Sequence, residues 1–174
     1  MATETFEKYR ITGFAPVVPA DARTLILGSM PGEESLRLQQ YYANPRNAFW
    51  RILAELGGDE PDAPYEMRLK MLDKLHLAVW DVLHSCHRAG SLDSAIQKSS
   101  VQTNDFNALF SQNPKIRRIF FNGAFAEQSY RKHVLPHLLK DHADIVMLRL
   151  PSTSPAHAGL CFEDKLDAWR VILD

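Results

Sequence analysis

Two segments near the start of the chain carry groups that could take part in chemistry. The first, GSMPG (28–32), follows an apolar run and places Ser29 and Met30 between glycines and a proline. Gly28 allows positive φ and close approach of the backbone to a ligand, and Pro31 favours an extended conformation at the residue before it. Backbone N–H groups in such a loop could point at an acceptor on a planar ligand. A plain strand-to-helix turn accounts for the same residues equally well.

The second segment, YYANPRNAFW (41–50), crowds aromatic rings and amides together. Asn47 could cap the helix that follows it, which is a structural role. Alternatively, its neutral amide could position a water molecule or hold a base edge beside Tyr41, Tyr42 and Phe49, whose rings offer faces for stacking. The residues alone leave both roles open.

A third segment, PSTSPAHAG (151–159), presents hydroxyl groups directly after an apolar run. Hydroxyls and backbone N–H groups at a loop or helix N-terminus can hold phosphate oxygens. A helix cap or a Ser/Thr turn would use the same residues. Asp81, at the end of another apolar run, is either an acid in a pocket or a solvated loop carboxylate.

Other catalytic and cofactor signatures are weak or missing in the sequence. The segment HSCHR (84–88) contains metal-ligand residue types, but no second pair of Cys or His completes a tetrahedral site. The sequence has no G-x-S-x-G nucleophile elbow, no GxxxxGK[ST] loop and no GxGxxG fingerprint. We therefore expect neither a metal nor a cofactor.

Length and composition narrow the class of protein. A chain of 174 residues, 45% apolar and 24% charged, is expected to form one globular domain over residues 1–174. The net charge of −1 gives no global positive field, so a nucleic-acid partner would require a local patch. No apolar run reaches the ~20 residues of a membrane helix, and the N-terminus lacks the apolar core of a signal peptide. We expect a cytoplasmic protein with no membrane partner and two reduced cysteines.

The elements that must position these groups alternate between strands and helices. Short apolar runs predict strands at residues 23–29, 76–83, 116–123 and 144–150. Periodic patterns predict helices at residues 47–56, 65–75, 104–112, 124–135 and 161–173. Residues 1–22 are predicted to be a lead-in in which Pro16 and Pro19 limit regular structure. The alternation predicts a parallel sheet covered on both faces, with the site beyond the carboxyl ends of its strands.

Several motifs together resemble one known family. GSMPG and YYANPRNAFW are followed in order by GSLDSAI, FFNGAFA and LPSTSPAHA, and the series is similar to the uracil-DNA glycosylase superfamily. Within it, the chain most resembles the hypoxanthine-DNA glycosylase (DNA-deoxyinosine glycosylase) branch, over about residues 23–160. The resemblance implies an α/β fold, a three-layer α/β/α sandwich with a four-stranded, mainly parallel sheet. It also implies a monofunctional enzyme of base excision repair that hydrolyses the N-glycosidic bond of a deaminated base in DNA.

Two side chains depart from the usual pattern of that superfamily. Met30 stands where most members carry an Asp or Asn that handles the attacking water, and Leu150 stands where His or Asn precedes a Pro-Ser pair. In the hypoxanthine branch the Asn of the Pro-Arg-Asn segment is thought to compensate. The resemblance therefore assigns catalysis to Asn47. A further departure is Asn44, where His would be expected before the proline.

The predicted site consists of a base pocket and a loop that grips DNA. The pocket residues are Gly28, Ser29, Met30, Pro31, Tyr41, Phe49, Asp81 and Asn122. The DNA-binding residues are Ser152, Thr153, Ser154, Ala156 and His157. The expected partner is DNA that contains hypoxanthine, with uracil and xanthine as further substrates, bound by a monomer. Two other functions stay open, a non-catalytic DNA- or nucleotide-binding module and an N-glycosidase that acts on free nucleosides.

Overall fold

The computed structural model describes residues 9–142 and 144–174. Its strands are β1 (Arg10–Thr12), β2 (Thr24–Gly28), β3 (Leu77–Asp81), β4 (Leu83–His87), β5 (Gln102–Thr103), β6 (Arg118–Asn122) and β7 (Val146–Leu150). Four of them form a sheet in the order β3-β2-β6-β7, and every neighbouring pair is parallel. All residues of β2 and β3 are buried, which explains why they are continuous apolar runs rather than alternating patterns.

The register of the sheet brings the ends of its strands together. Gly28 at the end of β2 lies opposite Asp81 at the end of β3, and Asn122 at the end of β6 lies opposite Leu150 at the end of β7. Because all four strands run the same way, the loops that follow them leave the sheet at one edge. The functional segments of the sequence therefore meet there.

The helices of the described chain flank this sheet. They are α1 (Glu33–Leu38), α2 (Phe49–Gly57), α3 (Tyr65–Lys74), α4 (Phe106–Gln112), α5 (Ala124–His133) and α6 (Phe162–Trp169). Helix α3 packs against β3, α5 packs against β6 and β7, and α2 packs against both α3 and α6. The prediction of an α/β fold with a four-stranded parallel sheet flanked by helices is confirmed. None of the described helices has the length and apolar character needed to cross a membrane.

The helix bounds differ from the predicted ones at several ends. Helix α1 was not predicted, because its six residues are too short to show an apolar period. The predicted helix 47–56 begins at Phe49, and the predicted helix 161–173 is α-helical only as far as Trp169, with a 3₁₀ turn over Arg170–Leu173. The predicted helix 104–112 begins at Phe106, where the Asp105 side chain accepts the N–H of Ala108 at 3.0 Å and caps it.

A small antiparallel sheet corrects two expectations. Strand β4 pairs with β1 on one side and with β5 on the other, so the predicted lead-in contains regular structure despite its prolines. Val17, between those prolines, also forms a bridge with Val79 of β3. The predicted strand 76–83 is in fact β3 followed by the start of β4. The HSCHR segment lies on β4, and the described residues contain no group of three His, Cys, Asp or Glu side chains that could hold a metal.

Candidate active site

A cleft of about 590 Å³ opens at the carboxyl edge of the parallel sheet. It is bounded by the loop after β2, the segment before α2, residues 91–93 and the loop after β7. The predicted site residues that line it are Gly28, Ser29, Met30, Pro31, Tyr41, Asn47, Asp81, Asn122, Ser152, Thr153, Ser154 and Ala156. Side chains from segments more than 100 residues apart in sequence thus share one surface, as the alignment of the strand ends requires.

Two predicted site residues lie outside this cleft. Phe49 is fully buried in the core, where its ring stacks on Tyr42 with the centroids 3.9 Å apart. The placement of Phe49 in the pocket is therefore corrected, because Tyr42 lines the cleft and Phe49 supports it from behind. His157 is exposed and lines an adjoining cleft rather than this one.

The end of β2 and the loop after it are hydrogen-bonded to the residues that follow β3. The Val82 N–H donates to the Gly28 carbonyl at 2.9 Å, and the Leu83 N–H donates to the Ser29 carbonyl at 3.1 Å. The backbone N–H groups of Met30 and Gly32 have no partner among the described residues. Both residues line the cleft, so the loop offers it unused donors.

Gly28 lets a carboxyl group approach the backbone of that loop. A Cβ added at Gly28 would clash with Oδ1 of Asp81 and lie 3.1 Å from the Tyr42 hydroxyl. The Asp81 side chain is 4% exposed, and its Oδ2 has no hydrogen-bond partner in the described part of the chain. Burial raises the pKa of Asp81 to about 7, the negative charge of Asp93 adds to the rise, and Arg88 opposes it.

Tyr42 packs its hydroxyl into the same corner. Its backbone has φ of 52°, a left-handed conformation that costs a bulky residue free energy and marks a constrained position. The hydroxyl is buried without a hydrogen-bond partner among the described residues. Burial raises the pKa of Tyr42, with a further contribution from the charge of Asp81, while an interaction with the Asn122 side chain lowers it. The phenol therefore stays neutral beside the carboxyl group.

The structure shows the first of the two roles that the sequence left open for Asn47, that of stabilising the helix start. The Phe49 N–H, the first of α2, donates to Oδ1 of Asn47 at 3.0 Å. The Asn47 N–H donates to the Asn44 carbonyl at 2.8 Å, and the next N–H, of Ala48, donates to the Thr153 carbonyl at 3.0 Å. The side chain thus stabilises the helix start through its oxygen, and this bond fixes the plane of the amide. Its Nδ2 has no partner within the described residues.

The loop after β7 is tied to β6 by a reciprocal pair of hydrogen bonds. Asn122 Nδ2 donates to Thr153 Oγ1 at 2.8 Å, and the Thr153 N–H donates to Asn122 Oδ1 at 2.9 Å. Within the loop, the Ser154 N–H donates to Ser152 Oγ at 3.2 Å, and the Ala156 N–H donates to Ser154 Oγ at 3.2 Å. These are Ser/Thr turns. They pre-order the loop, and they use the hydroxyl oxygens as acceptors while leaving both O–H groups as donors.

One wall of the cleft was missed by the sequence reasoning. The Ser29 hydroxyl donates to Asp93 Oδ1 at 2.6 Å, and the Glu33 N–H donates to Ser91 Oγ at 2.9 Å. The buried Arg88 donates through Nη2 to the Pro31 carbonyl. Burial raises the pKa of Asp93, while the Ser29 hydrogen bond lowers it. The signal for this wall in the sequence is the GSLDSAI motif, which contains Ser91 and Asp93.

Comparison with known protein families shows the family to which this chain belongs. The profile of the Uracil DNA glycosylase superfamily matches residues 15–172, nearly the whole chain. The chain belongs to the uracil DNA glycosylase superfamily. The cleft of this superfamily member is built from the same motifs that suggested the resemblance.

Relatives within the superfamily cover most of the chain. A protein from Methanosarcina acetivorans named hypoxanthine DNA glycosylase is 41% identical over 133 residues, which is 71% of this chain and 83% of the relative. A protein of the same name from Methanosarcina barkeri is 38% identical over 112 residues, 64% of this chain and 70% of the relative. A solution NMR structure of a Methanosarcina acetivorans protein, proposed to be a uracil DNA glycosylase, has a TM-score of 0.75 at 34% identity. That match covers 95% of this chain and 99% of the other.

The structure shows what this superfamily member has at its two unusual positions. Met30 is buried and lines the cleft, so an apolar residue faces the site there. Leu150 is also buried, but it is absent from the lining of the cleft.

Proposed function

We propose that this protein is a monofunctional DNA glycosylase that hydrolyses the N-glycosidic bond of hypoxanthine in DNA, the first step of base excision repair. The observation that carries the proposal is that Asn47 and the buried Asp81 line one cleft at the carboxyl edge of the sheet. The names of the two Methanosarcina relatives support the choice of base. We include uracil and xanthine as slower substrates.

The target nucleotide must leave the helix before the bond can be reached. Rotating it out of the stack costs a few kcal/mol, and less when the base is mispaired, as hypoxanthine is opposite thymine. A cleft of about 590 Å³ lies within the usual size range for small-molecule sites and can take one nucleotide. We assign the grip on the flanking phosphates to the O–H groups of Ser152 and Ser154 and to the backbone of the loop after β7.

Breaking the glycosidic bond leaves negative charge on the base and positive charge on the sugar. The loop after β2 would stabilise the negative charge. The bond between C1′ of the sugar and N9 of the base breaks, the electron pair leaves with the base, and the sugar becomes an oxocarbenium ion. The unused N–H groups of Met30 and Gly32 would donate to the anionic base. Loss of one such donor in other enzymes costs about 10²–10³ in rate.

Asp81 would act on the same leaving base as a neutral acid. Because its pKa is raised to about 7, the carboxyl group keeps its proton in weakly acidic solution and is about half protonated at neutral pH. A protonated carboxyl can donate to an acceptor on the purine, O6 or N7, where negative charge develops. The neutral hydroxyl of Tyr42 lies in the same corner and would be a second donor.

Asn47 would position the attacking water. A carbonyl oxygen has two lone pairs, and the Phe49 N–H uses one of those on Oδ1, so the other can accept a proton of the water. The oxygen of the water then bonds to C1′, and its proton passes to solvent or to the departed base. Because an amide is a very weak base, the contribution of Asn47 is orientation, in keeping with an oxocarbenium ion that reacts readily.

No lysine is present among the described residues that line the cleft. A strand-cleaving glycosylase needs an amine that forms a Schiff base with C1′. We therefore propose hydrolysis without strand cleavage. Borohydride reduction during turnover should trap no covalent complex with DNA, and a trapped complex would contradict this part of the proposal.

The test of the proposed function is excision from synthetic DNA. Duplex and single-stranded oligonucleotides carrying hypoxanthine, uracil or xanthine are incubated with excess enzyme, and abasic sites are revealed by hot alkali. We expect release of hypoxanthine to be fastest and free deoxyinosine to be left intact. DNA binding without excision would mean a binding module, and cleavage of free deoxyinosine would mean a nucleosidase.

We further propose that the enzyme acts as a monomer in the cytoplasm. The support is that one chain supplies every wall of the cleft, from the ends of β2, β3 and β6, the loops after β2 and β7, the segment before α2 and residues 91–93. Sedimentation of the enzyme with and without a hypoxanthine duplex should give one chain per complex. A dimer with the second chain at the cleft would overturn this.

A further inference from the structure

A second cleft, of about 570 Å³, adjoins the first. The two share the wall formed by Tyr42, Arg46, Asn47 and the Thr153–Ser154 backbone. It extends from that wall towards the start of α3 and the start of α6. Apart from the residues of that shared wall, nothing in the proposed reaction uses it.

The second cleft concentrates positive charge. Arg46, Arg51, Arg68 and Lys165 line it, and Asp62 is the one carboxylate among its described lining residues. The protein as a whole has a net charge of −1, so this excess is local. A local excess of cations is the electrostatic pattern of a surface that binds a polyanion.

These cations have no anionic partner in the described chain. None of the four takes part in an ion pair, whereas other arginines of the protein pair with nearby carboxylates. Nε of Arg68 is buried and makes no hydrogen bond within the described residues. A buried guanidinium nitrogen without an acceptor costs free energy unless a ligand provides one.

Two of these cations are held in place by the protein: Arg51 packs on an aromatic ring, and Lys165 is bonded to the loop after β7. The Arg51 guanidinium lies over the Phe162 ring, 3.7 Å from its centroid. Lys165 is 6% exposed, and its Nζ donates to the carbonyl of His157 at 2.8 Å. Burial lowers the pKa of Lys165. The lysine therefore fixes the end of the loop, and the three arginines remain available to a ligand.

We propose that the second cleft binds the sugar-phosphate backbone of the substrate strand next to the flipped nucleotide, with Arg46, Arg51 and Arg68 contacting its phosphates. The strand passes from one cleft to the other over the shared wall, where Asn47 lies. This inference rests on the proposed function for the identity of the polymer. It adds a DNA contact beyond the loop after β7.

The test is the salt dependence of DNA binding, measured by fluorescence anisotropy on a short undamaged duplex. Each phosphate contact contributes about 0.9 to the slope of log affinity against log salt, so three contacts contribute about 2.7. Between about 50 and about 200 mM salt this amounts to roughly a 40-fold loss of affinity. The triple variant Arg46→Gln, Arg51→Gln, Arg68→Gln should lack that part of the loss.

A second variant that is expected to bind DNA more tightly keeps the inference testable if the triple variant does not fold. Asp62 is exposed at the rim, and Asp62→Lys should tighten DNA binding and steepen the slope by about 0.9. Arg117→Gln and Asp144→Lys are the matched controls. Both residues are exposed and precede β6 and β7, at the opposite edge of the sheet, so neither should change the slope.

The outcomes separate this inference from the proposed function. If the slopes change as stated but no damaged base is excised, the proposed function fails and the phosphate contacts stand. If hypoxanthine is excised but the slopes of the triple variant and of Asp62→Lys equal those of the wild type, the inference is overturned. The same holds if the control variants change the slope as much as the cleft variants do.

Discussion

The substitution Asp81→Asn tests the proposal that a buried, neutral carboxyl group faces the substrate base. In the wild type, Asp81 has a pKa raised from its ordinary value of 3.8 to about 7, mainly by burial. Below the ordinary value, both the folded and the unfolded chain hold the proton, and the group has no effect on stability. Between the two values only the folded chain holds it, so the stability of the fold falls as pH rises. Above about pH 7 the cost is constant.

The size of this loss of stability follows from the difference between the two pKa values of Asp81. Three pH units at ~1.4 kcal/mol per unit give about 4 kcal/mol as an upper limit. Asparagine has a similar shape but introduces an NH₂ group that also needs partners, so we expect about half of that gain. At about pH 8 the variant should melt about 4–8 °C above the wild type, and near pH 4, where only the cost of the NH₂ group remains, it should melt below the wild type.

The pH dependence of the excision rate is a second, independent test of Asp81. If Asp81 donates a proton to the leaving base, the single-turnover rate of the wild type should fall as pH rises through about 7. The Asn variant should be slower at low pH and show no such fall. Asp144→Asn, at an exposed position, is the control for both measurements. A variant that melts below the wild type at pH 8, or keeps the same pH profile of rate, would contradict the role proposed for Asp81.

Three further substitutions probe the walls of the cleft. Gly28→Ala forces Asp81 to move, which should lower the free energy of unfolding by about 1–3 kcal/mol in chemical denaturation and slow excision. An unchanged free energy and rate would show that the carboxyl group is free to shift. Asn122→Ala removes both hydrogen bonds to Thr153 and should destabilise the fold by about 1–3 kcal/mol and weaken DNA affinity, as measured by urea unfolding and anisotropy. Met30→Asn restores the usual superfamily amide, and we expect the ratio of uracil to hypoxanthine excision to rise. An unchanged ratio would mean that Met30 does not set the preference.

The central sheet could be predicted from the sequence because each of its strands is locally encoded. Buried parallel strands must be apolar throughout, and the runs that end at Gly28 and Asp81 have that form. The small sheet could not be predicted in this way. Arg10 of β1 pairs with His87 of β4, far along the chain, and the polar residues of β4 suggested a metal motif rather than a strand.

The candidate site could be predicted in its location and less well in its details. The carboxyl ends of parallel strands converge in any such fold, so the four loops were expected to meet. Phe49 was placed in the pocket on its aromatic character, but it lies with Leu53 on the buried face of α2. The bond from Ser29 to Asp93 depends on two segments that approach only in the folded chain.

The proposed mechanism depends most on Asn47, which accepts a hydrogen bond at the helix start in addition to its proposed chemical role. Asn47→Ala removes the oxygen that accepts the Phe49 N–H and should cost about 1 kcal/mol of stability. Asn47→Ser is the matched control, because a serine hydroxyl can still accept at a helix start but offers no amide. Both variants should keep the DNA affinity of the wild type, since other groups grip the phosphates.

The most direct test is single-turnover excision of hypoxanthine from duplex DNA at saturating enzyme. We predict that both the Ala and the Ser variant of Asn47 lose about 10²–10³ in rate, a loss of the size seen when a single polar group that acts in the transition state is removed. If the Ser variant keeps the wild-type rate, or if the Ala variant excises as fast as the wild type, Asn47 does not position the water and the proposed mechanism is wrong.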